Sequence, residues 1–298
     1  MYNGQHQGEL PLNYEIARSV NGQESVKDHK VGECMHSSMG AWQEANTIYI
    51  EQSDLRNLLA KPSTLDLVIY DVGMGIAANA LATLDAFERL PSERKLHLVS
   101  FESQIGGIEF ALHHLKSFPF LKKNKDLIRQ LLRQKTVTVS SPGGRYFSWD
   151  LLEGDFRETI ALAPAPEIIY YDFYSPKACP EVWTVRCFDL LFRATAPRRQ
   201  KGLNTSLYTY CSSTAARTGL LASGFFVGRG TSTPTKKETT IATTMRESLQ
   251  NAFGKDWLTH LQRSGKPWPP DLTLDRRNEV RDFLSSEEFW PPTGQAQV

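Results

Sequence analysis

Three short apolar runs of this chain end in an acid. They are Leu65–Asp71, Leu96–Glu102 and Glu167–Asp172, and a fourth acid, Asp155, closes the stretch Tyr146–Asp155. Apolar runs of this length between polar residues read as buried strands, so each carboxylate stands where a strand gives way to a turn. After the first acid, Gly73 and Gly75 lead through Ala77 and Ala78 to Asn79 and an Ala- and Leu-rich stretch that predicts a helix. Glycines let a backbone approach a ligand closely, and a helix start offers N–H groups with no partner inside the helix. A dinucleotide fingerprint would place a third glycine at position 78, where Ala78 stands, and no Gly-Lys-Ser/Thr follows, so a P-loop is excluded. An acid at position 71 repels a pyrophosphate but suits the amino group of a methionine moiety. Glu102 can take two ribose hydroxyls. The pair favours S-adenosylmethionine over NAD. Read singly, Asp71 could be a turn or cap residue and Glu102 an ordinary strand end. The recurrence of acids at four equivalent strand ends weighs against that.

The elements that must position these acids follow from the pattern. Strands are predicted over 65–71, 96–102, 146–155, 167–172, 205–211, 225–228 and 237–243. Helices are predicted over 77–89, 108–117, 122–134, 181–194, 213–222 and 246–263, the last with Leu249, Phe253, Trp257 and Leu261 every fourth residue. Pro180 suits a helix start and Gly224 a C-terminal cap. The alternation predicts an α/β fold, a seven-stranded, mostly parallel sheet with helices on both faces. Ligands of such sheets bind beyond the carboxyl ends of the strands, where the acids lie. Residues 1–30 are polar and read as a flexible segment with a hairpin at Asn21-Gly22. Residues 31–263 form the functional domain, and 264–298 a proline-rich extension packed on it around one helix near 275–284. No internal repeat is visible.

With 298 residues, 40% hydrophobic and 22% charged, the chain is neither disordered, collagenous nor a disulfide miniprotein. Lys plus Arg is 34 and Asp plus Glu 33. That sum does not predict nucleic-acid binding and leaves room for a local basic face. Seven residues, Lys116, Lys122, Lys123, Lys125, Arg129, Arg133 and Lys135, lie against one acid, Asp126. Arg129 and Arg133 are one helical turn apart, which makes a basic stripe credible. Arg193, Arg198, Arg199 and Lys201 form a second cluster. Either cluster can equally be a solvated face. The cysteines, Cys34, Cys179, Cys187 and Cys211, include no C-x-x-C pair and fit buried thiols in a reducing compartment. The first ten residues lack the pattern of a signal peptide. The apolar stretch 67–84 contains Asp71, Asn79 and two glycines, unlike a lipid-facing helix. A cytoplasmic protein without membrane or metal partners is expected.

Four blocks carry a resemblance to a known family. They are Glu33–Glu44 (Glu-Cys-Met-His-Ser-Ser-Met-Gly-Ala-Trp-Gln-Glu), Asp71–Asn79, Trp149–Phe156, and Tyr171–Trp183 (Tyr-Asp-Phe-Tyr-Ser-Pro-Lys-Ala-Cys-Pro-Glu-Val-Trp). Lys236–Ala242 adds a fifth, shorter likeness. Together they resemble the MnmC-like methyltransferases, the methyltransferase domain of the tRNA 5-methylaminomethyl-2-thiouridine biosynthesis enzyme. The oxidase domain of the bifunctional forms is missing from this sequence, so the resemblance is to a stand-alone form. It implies a Rossmann-like class I fold and S-adenosyl-L-methionine as cofactor. It also implies contacts from Asp71, Gly73, Gly75 and Asn79 to the methionine part, Glu102 at the ribose, and Asp155 with Phe156 at the adenine. His36, Ser37 and Glu44 help close the pocket. Asp172 stands beside the methyl group and the acceptor amine. The loop residues Tyr174, Ser175, Pro176 and Trp183, with Arg129 and Arg133 on the basic stripe, are the expected substrate contacts. Three residues depart from the family pattern: Ala77 for its third glycine, Phe173 for Gly or Pro after the catalytic acid, and Cys179 for Asn before Pro180.

The implied reaction is N-methylation of an aminomethyl group on a modified wobble uridine of tRNA. A primary amine with a pKa of about 10 is mostly protonated at neutral pH and lacks a lone pair. Asp172 is expected to orient it and take the proton. A methyltransferase of the same fold acting on a small amine or other metabolite, and a non-catalytic module that kept the fold, are the alternatives.

Overall fold

The computed structural model describes residues 13–90, 94–140, 146–249, 251–253 and 256–286. From residue 13, the stretch expected as a flexible start carries structure. Strands β1 (Tyr14–Arg18) and β2 (Glu24–Asp28) pair antiparallel around Gly22, whose φ of 77° fits the hairpin turn, and β3 (Glu33–Cys34) joins β2. Then come α1 (Ala41–Glu44), a π-helical run Ala45–Glu51, and α2 (Leu55–Ala60).

The main body follows as β4 (Leu67–Val72), α3 (Ala78–Arg89), β5 (Leu96–Glu102), α4 (Gly106–His113), α5 (Lys125–Gln134), β6 (Thr136–Ser140), β7 (Tyr146–Glu153) and α6 (Phe156–Thr159). It continues as β8 (Ile168–Tyr171), α7 (Val185–Ala194), α8 (Ala196–Arg199), β9 (Ser206–Thr209), α9 (Thr214–Ala222), β10 (Phe226–Arg229) and β11 (Thr240–Thr243). Helices α10 (Asp256–Arg263) and α11 (Leu274–Ser285) end it. The sheet runs β10-β11-β9-β8-β4-β5-β7-β6. Five central strands are parallel, and β6, β11 and β10 make antiparallel pairings at the edges. From β4 the chain builds outward to β5 on one side and to β8 on the other, so the order reverses at β4. That reversal opens the crevice in which α/β sheets bind ligands. Alternate side chains feed two cores: Ile69, Leu98 and Trp149 face one helix layer, and Tyr70, Val99 and Tyr171 the other.

The seven predicted strands are all present. The eighth, β6, was not expected, although Thr136-Val-Thr-Val-Ser140 alternates as a half-buried strand does, with Val137 in the core. The predicted helix over 246–263 is overturned. Among its described residues only 256–263 are α-helical, after a 3-10 turn at 246–248. Leu249, Phe253, Trp257 and Leu261 are all buried, as their spacing suggests. The backbone between them instead pairs with β10, where Arg229 N–H donates to the Asn251 carbonyl at 2.8 Å. The helix expected from Glu181 begins four residues later, because Pro180 opens a 3-10 turn and Thr184 caps Val185–Ala194 through its hydroxyl.

The extension after residue 264 is tied down by charge. The Asp271 carboxylate accepts the Val185 and Arg186 N–H groups at 2.9 and 3.0 Å, capping α7 from a distant segment. Arg276 forks onto Asp189 at 3.2 Å twice. Asp271→Ala leaves two helix-start donors without this acceptor and should destabilise the fold by about 1–2 kcal/mol. A lower urea midpoint with an unchanged slope checks this.

Candidate functional site

A cleft of about 220 Å³ opens at the carboxyl ends of β4, β5 and β8. Of the residues singled out by sequence, Gly73, Gly75, Asn79, Glu102, Asp172, Tyr174 and His36 line it. Asp28, Glu102, Asp172 and Glu181 all contribute carboxylates to its wall, and no Lys or Arg is among the described lining residues. That favours a cationic occupant.

The glycine turn is built for close approach. Gly73 has a φ of 91° and donates its N–H to the Phe101 carbonyl at 3.0 Å. A Cβ here would sit inside van der Waals contact of the Asp172 carbonyl oxygen. Gly75 has a φ of 53° and donates to Glu102 Oε2 at 2.9 Å, while Gln104 N–H donates to Oε1 at 2.9 Å. These two bonds orient the Glu102 carboxylate and leave lone pairs for two further donors. Burial raises its pKa, and the backbone donors counter this. Ala77, where the family carries glycine, is buried and also left-handed at a φ of 62°, a conformation that costs a non-glycine residue about 1–2 kcal/mol.

Asp71 is fully buried, one layer beneath the cleft, and does not line it. Its Oδ2 accepts from Ser100 Oγ at 2.8 Å, and Ser100 in turn accepts from Trp149 Nε1 at 2.9 Å. Its Oδ1 is buried without a hydrogen-bond partner. Burial pushes the carboxyl up to about 7, Ser100 opposes that, and Asp172 and Glu102 add to it. Its oxygens are closed to the cleft, so this acid acts on an occupant above it through its charge rather than by contact.

Asp172 accepts from Asn79 Nδ2 at 2.9 Å, which ties the strand-end acid to the first turn of α3. Burial raises its pKa, while the nearby Tyr49 hydroxyl, Asn79 and Lys236 favour the ionised form. Desolvation holds the His36 imidazole down at about 4, so it is neutral. Its backbone N–H rests on Ser25 Oγ at 3.1 Å. Ser37 and Glu44 stand behind the wall rather than on it, joined by a bond from Ser37 N–H to Glu44 Oε2 at 3.1 Å.

Asp155 and Phe156 lie beside the cleft rather than in its lining. Asp155 caps α6, accepting from Arg157 N–H at 2.9 Å, and it pairs with the Arg157 guanidinium, which holds its carboxyl below the usual range. Phe156 packs on Phe173, ring centroids 5.6 Å apart, and Phe173 itself lines the cleft. Ser175, Pro176 and Trp183, expected as substrate contacts, are not among the described lining residues; Ser175 and Trp183 instead hold the loop in place. Ser175 N–H and Oγ both donate to Glu33, at 3.0 and 2.6 Å, clamping β3 to this loop, and Trp183 Nε1 donates to the Tyr174 carbonyl at 2.9 Å.

The basic clusters lie away from the cleft lining. On α5, Arg129 pairs with Asp126, and the flanking Lys123 and Lys135 pair with Glu88 and Glu153; Arg133 is exposed. In the second cluster, Arg198 meets Glu167 together with Arg94 at the amino ends of the strands, opposite the cleft, and Arg199 covers the Phe192 ring. Arg198 thus braces the fold rather than presenting charge to a ligand. Sequence reasoning missed Tyr14, Asp28 and Met35, which the β1–β3 sheet brings over the cleft, and Tyr49, which faces Asp172 from the π-helical run. Their spacing carries no chemical signature. Among the described residues, no cluster suits a metal ion and no helix is long and apolar enough to cross a membrane.

The comparisons with known proteins agree with this geometry. Residues 120–245 match the family model of an S-adenosyl-L-methionine-dependent methyltransferase. The chain is an S-adenosyl-L-methionine-dependent methyltransferase with a Rossmann-like fold. Within that class its likeness is to the MnmC proteins. It is 28% identical over 209 residues to the tRNA 5-methylaminomethyl-2-thiouridine biosynthesis bifunctional protein MnmC of Aeromonas hydrophila, covering 65% of this chain and 30% of that protein. The counterpart from Stutzerimonas stutzeri is 27% identical over 260 residues, covering 84% and 36%. The chain therefore spans about a third of the length of these curated relatives. The crystal structure of MnmC2 from Aquifex aeolicus shares the fold, with a TM-score of 0.65, 20% identity and coverage of 93% of this chain and 84% of that one.

Proposed function

We propose that the chain N-methylates an aminomethyl group on a modified wobble uridine of tRNA. The observation that carries this reading is the block Tyr171–Trp183, in which Asp172 opens onto the cleft at the switch point of the sheet and which resembles the MnmC pattern. The similarity to relatives named for tRNA 5-methylaminomethyl-2-thiouridine biosynthesis supports the acceptor.

The residues fit the cofactor. The buried charge of Asp71 beneath the cleft, the left-handed turn at Gly73 and Gly75, and the oriented Glu102 suit a nearby cation, a close backbone contact and a diol. When bound, the cofactor supplies an activated methyl group, so the chain has to position and deprotonate. On this reading Asp71 and Asn79 hold the methionine part and Glu102 the ribose. The Phe156–Phe173 pair sets the wall of the acceptor pocket. Asp172, held by Asn79, orients the acceptor amine and receives its proton. Ser175 and Trp183 fix the loop that carries it, Tyr174 offers a ring for the base, and Arg129 and Arg133 on α5 meet the phosphates of the tRNA.

The second reading, a small free amine, is favoured by one observation. The described cleft lining carries four acids and no Lys or Arg, so phosphates have to stay outside it. Incubation with methyl-labelled cofactor and bulk tRNA, followed by digestion to nucleosides, separates the two. Label on a uridine derivative is expected. Label confined to a small-molecule fraction would move the assignment to the free amine.

Cofactor affinity should depend on pH. Burial pushes both Asp71, beneath the cleft, and Glu44, behind its wall, up to about 7, so near neutrality the acids bordering the cleft are partly protonated. A cationic ligand prefers the ionised carboxylates, so binding releases protons. Affinity should rise with pH through about 7, by up to roughly tenfold per pH unit for each proton released, and level off above about 8. Calorimetric titration from pH 6 to 8.5 measures it, and Asp71→Asn should flatten the slope.

A further inference from the structure

The loop between β10 and β11, residues 230–239, reads Gly-Thr-Ser-Thr-Pro-Thr-Lys-Lys-Glu-Thr. Strand β11 pairs antiparallel with both β9 and β10, and β9 is parallel to β8. The loop therefore leaves β10 at the carboxyl end of the sheet, where the cleft lies. Register places it more closely. Tyr170 of β8 lies opposite Tyr208 of β9, and both face one core. Asp172 and Tyr210 each stand two residues further on, with main chains about one strand spacing, 4.8 Å, apart. The Lys236 ammonium sits 3.7 Å from the centre of the Tyr210 ring and donates to the Tyr210 carbonyl at 3.1 Å. The Tyr210 hydroxyl and Thr235 Oγ1 are hydrogen-bonded at 2.8 Å, and Lys236 N–H donates to Thr233 Oγ1 at 3.0 Å. Gln52 Oε1 accepts from both feet of the loop, Thr231 N–H and Thr239 Oγ1. A cation is thereby fixed at the rim of the cleft, beside the strand that leads to Asp172.

We propose that this loop holds the RNA backbone beside the acceptor nucleotide, with Lys236 and Lys237 on its phosphates. The inference rests on the tRNA reading above. The described cleft lining carries four acids and no Lys or Arg, so a nucleotide that enters it leaves its phosphates at the rim. The charge at this part of the rim is unspent. Glu238, the one acid of the loop, gives its oxygens to Arg217 at 2.6 Å and Arg229 at 3.2 Å. Among the described residues no carboxylate forms an ion pair with Lys236 or Lys237, and Lys237 is exposed. The α5 stripe differs, since Lys123, Arg129 and Lys135 each meet an acid. An ammonium has three donors. Tyr210 takes one from Lys236, which leaves two for a phosphate, and lysine binds phosphate as a point charge. Burial lowers the pKa of Lys236 while Cys211, Glu44 and Asp172 counter it, so an inward role as counter-charge is the rival explanation. The exposed Lys237 has no such role open to it.

A fluorescein-labelled anticodon stem–loop carrying aminomethyl-uridine is titrated with the whole protein at about 50 to 200 mM salt and read by anisotropy. Each lysine that neutralises a phosphate adds about one to the slope of log affinity against log salt. Lys236→Gln and Lys237→Gln should each lower that slope by about one, and weaken binding about fivefold to tenfold near 100 mM salt. Glutamine at position 236 keeps a donor for the Tyr210 carbonyl, and the exposed Lys237 is free of packing, so both variants should fold; thermal melts confirm it. If Lys236→Gln unfolds, Lys237→Gln carries the test alone. Affinity and slope that stay put in both variants, with the wild type binding, overturn the loop as a contact and leave the tRNA reading standing. Methyl transfer that falls in Lys236→Gln while stem–loop affinity and slope do not move makes that lysine a counter-charge of the acids, and overturns the proposal too. A wild-type protein that does not hold the stem–loop at all sinks the tRNA reading, and this proposal with it.

Discussion

Asp172→Asn should lower methyl transfer by about a hundredfold to ten-thousandfold, the range over which positioned proton acceptors contribute, while cofactor affinity changes by no more than a few fold. The substitution keeps shape and an acceptor oxygen for the Asn79 amide, so the bond between α3 and the end of β8 can persist. It removes only the ability to take a proton. The alternative role, counter-charge for the cofactor alone, gives the opposite pattern: weaker binding and turnover restored at saturating cofactor. Single-turnover rates at saturating labelled cofactor, beside equilibrium binding, separate these outcomes. A variant that turns over normally would remove Asp172 from the chemistry. Asp172→Ala should also abolish turnover, though it loses the Asn79 bond as well.

Gly73→Ala should abolish detectable cofactor binding and destabilise the fold by about 2–4 kcal/mol. Two effects combine. The backbone at Gly73 has a φ of 91°, which a side chain adopts only with strain. The added methyl would also drive into the Asp172 carbonyl and approach the Phe173 ring. That carbonyl is backbone, held by the β4–β8 ladder, in which Asp172 N–H donates to the Val72 carbonyl at 2.9 Å. It cannot swing aside as a flexible side chain could. Relief requires separating the two loops at the switch point, and that separation dismantles the crevice. Gly202→Ala, at a position with open space but a similarly positive φ of 65°, is the control. It should show the strain without loss of cofactor affinity. Thermal melts and cofactor titration of both variants are the check.

How much of this was legible in the sequence depends on how local each signal is. The strand-end acids were readable because a buried strand is a continuous apolar run and its end is marked by the first charge. Asp71, Glu102 and Asp172 accordingly gather at one end of the sheet. The glycine turn was readable for a similar reason: a left-handed backbone favours glycine, and the sequence shows it. Asp155 carries the same signature and stands two residues past the end of β7, yet its oxygens are used by Arg157 and the α6 start. Arg157 is two residues away, and nothing in a strand-end pattern distinguishes a carboxylate that awaits a ligand from one that caps a helix. The helix expected over 246–263 failed because burial every fourth residue is necessary for an amphipathic helix but not sufficient. An irregular segment laid along β10 can bury the same side chains. The roles of Tyr14, Asp28, Met35 and Tyr49 were illegible because they depend on long-range placement: a small sheet laid over the cleft, and a π-helical run that changes which residues share a face. The role of Arg198 in the second basic cluster was undecided for the same reason, since its partner Glu167, which it shares with Arg94, lies at the amino end of a distant strand.

The most direct test of the account follows the labelled methyl group itself. Wild-type protein and Asp172→Asn are each loaded with methyl-labelled S-adenosyl-L-methionine, freed of excess, and mixed with an aminomethyl-uridine tRNA at pH 8. Equal retention of label by both proteins is expected before mixing. Afterwards, label should appear on the nucleoside nitrogen with the wild type alone. Transfer by both proteins, or retention of cofactor by neither, would contradict the assignment of this acidic cleft as a methyl-transfer site with Asp172 as its base.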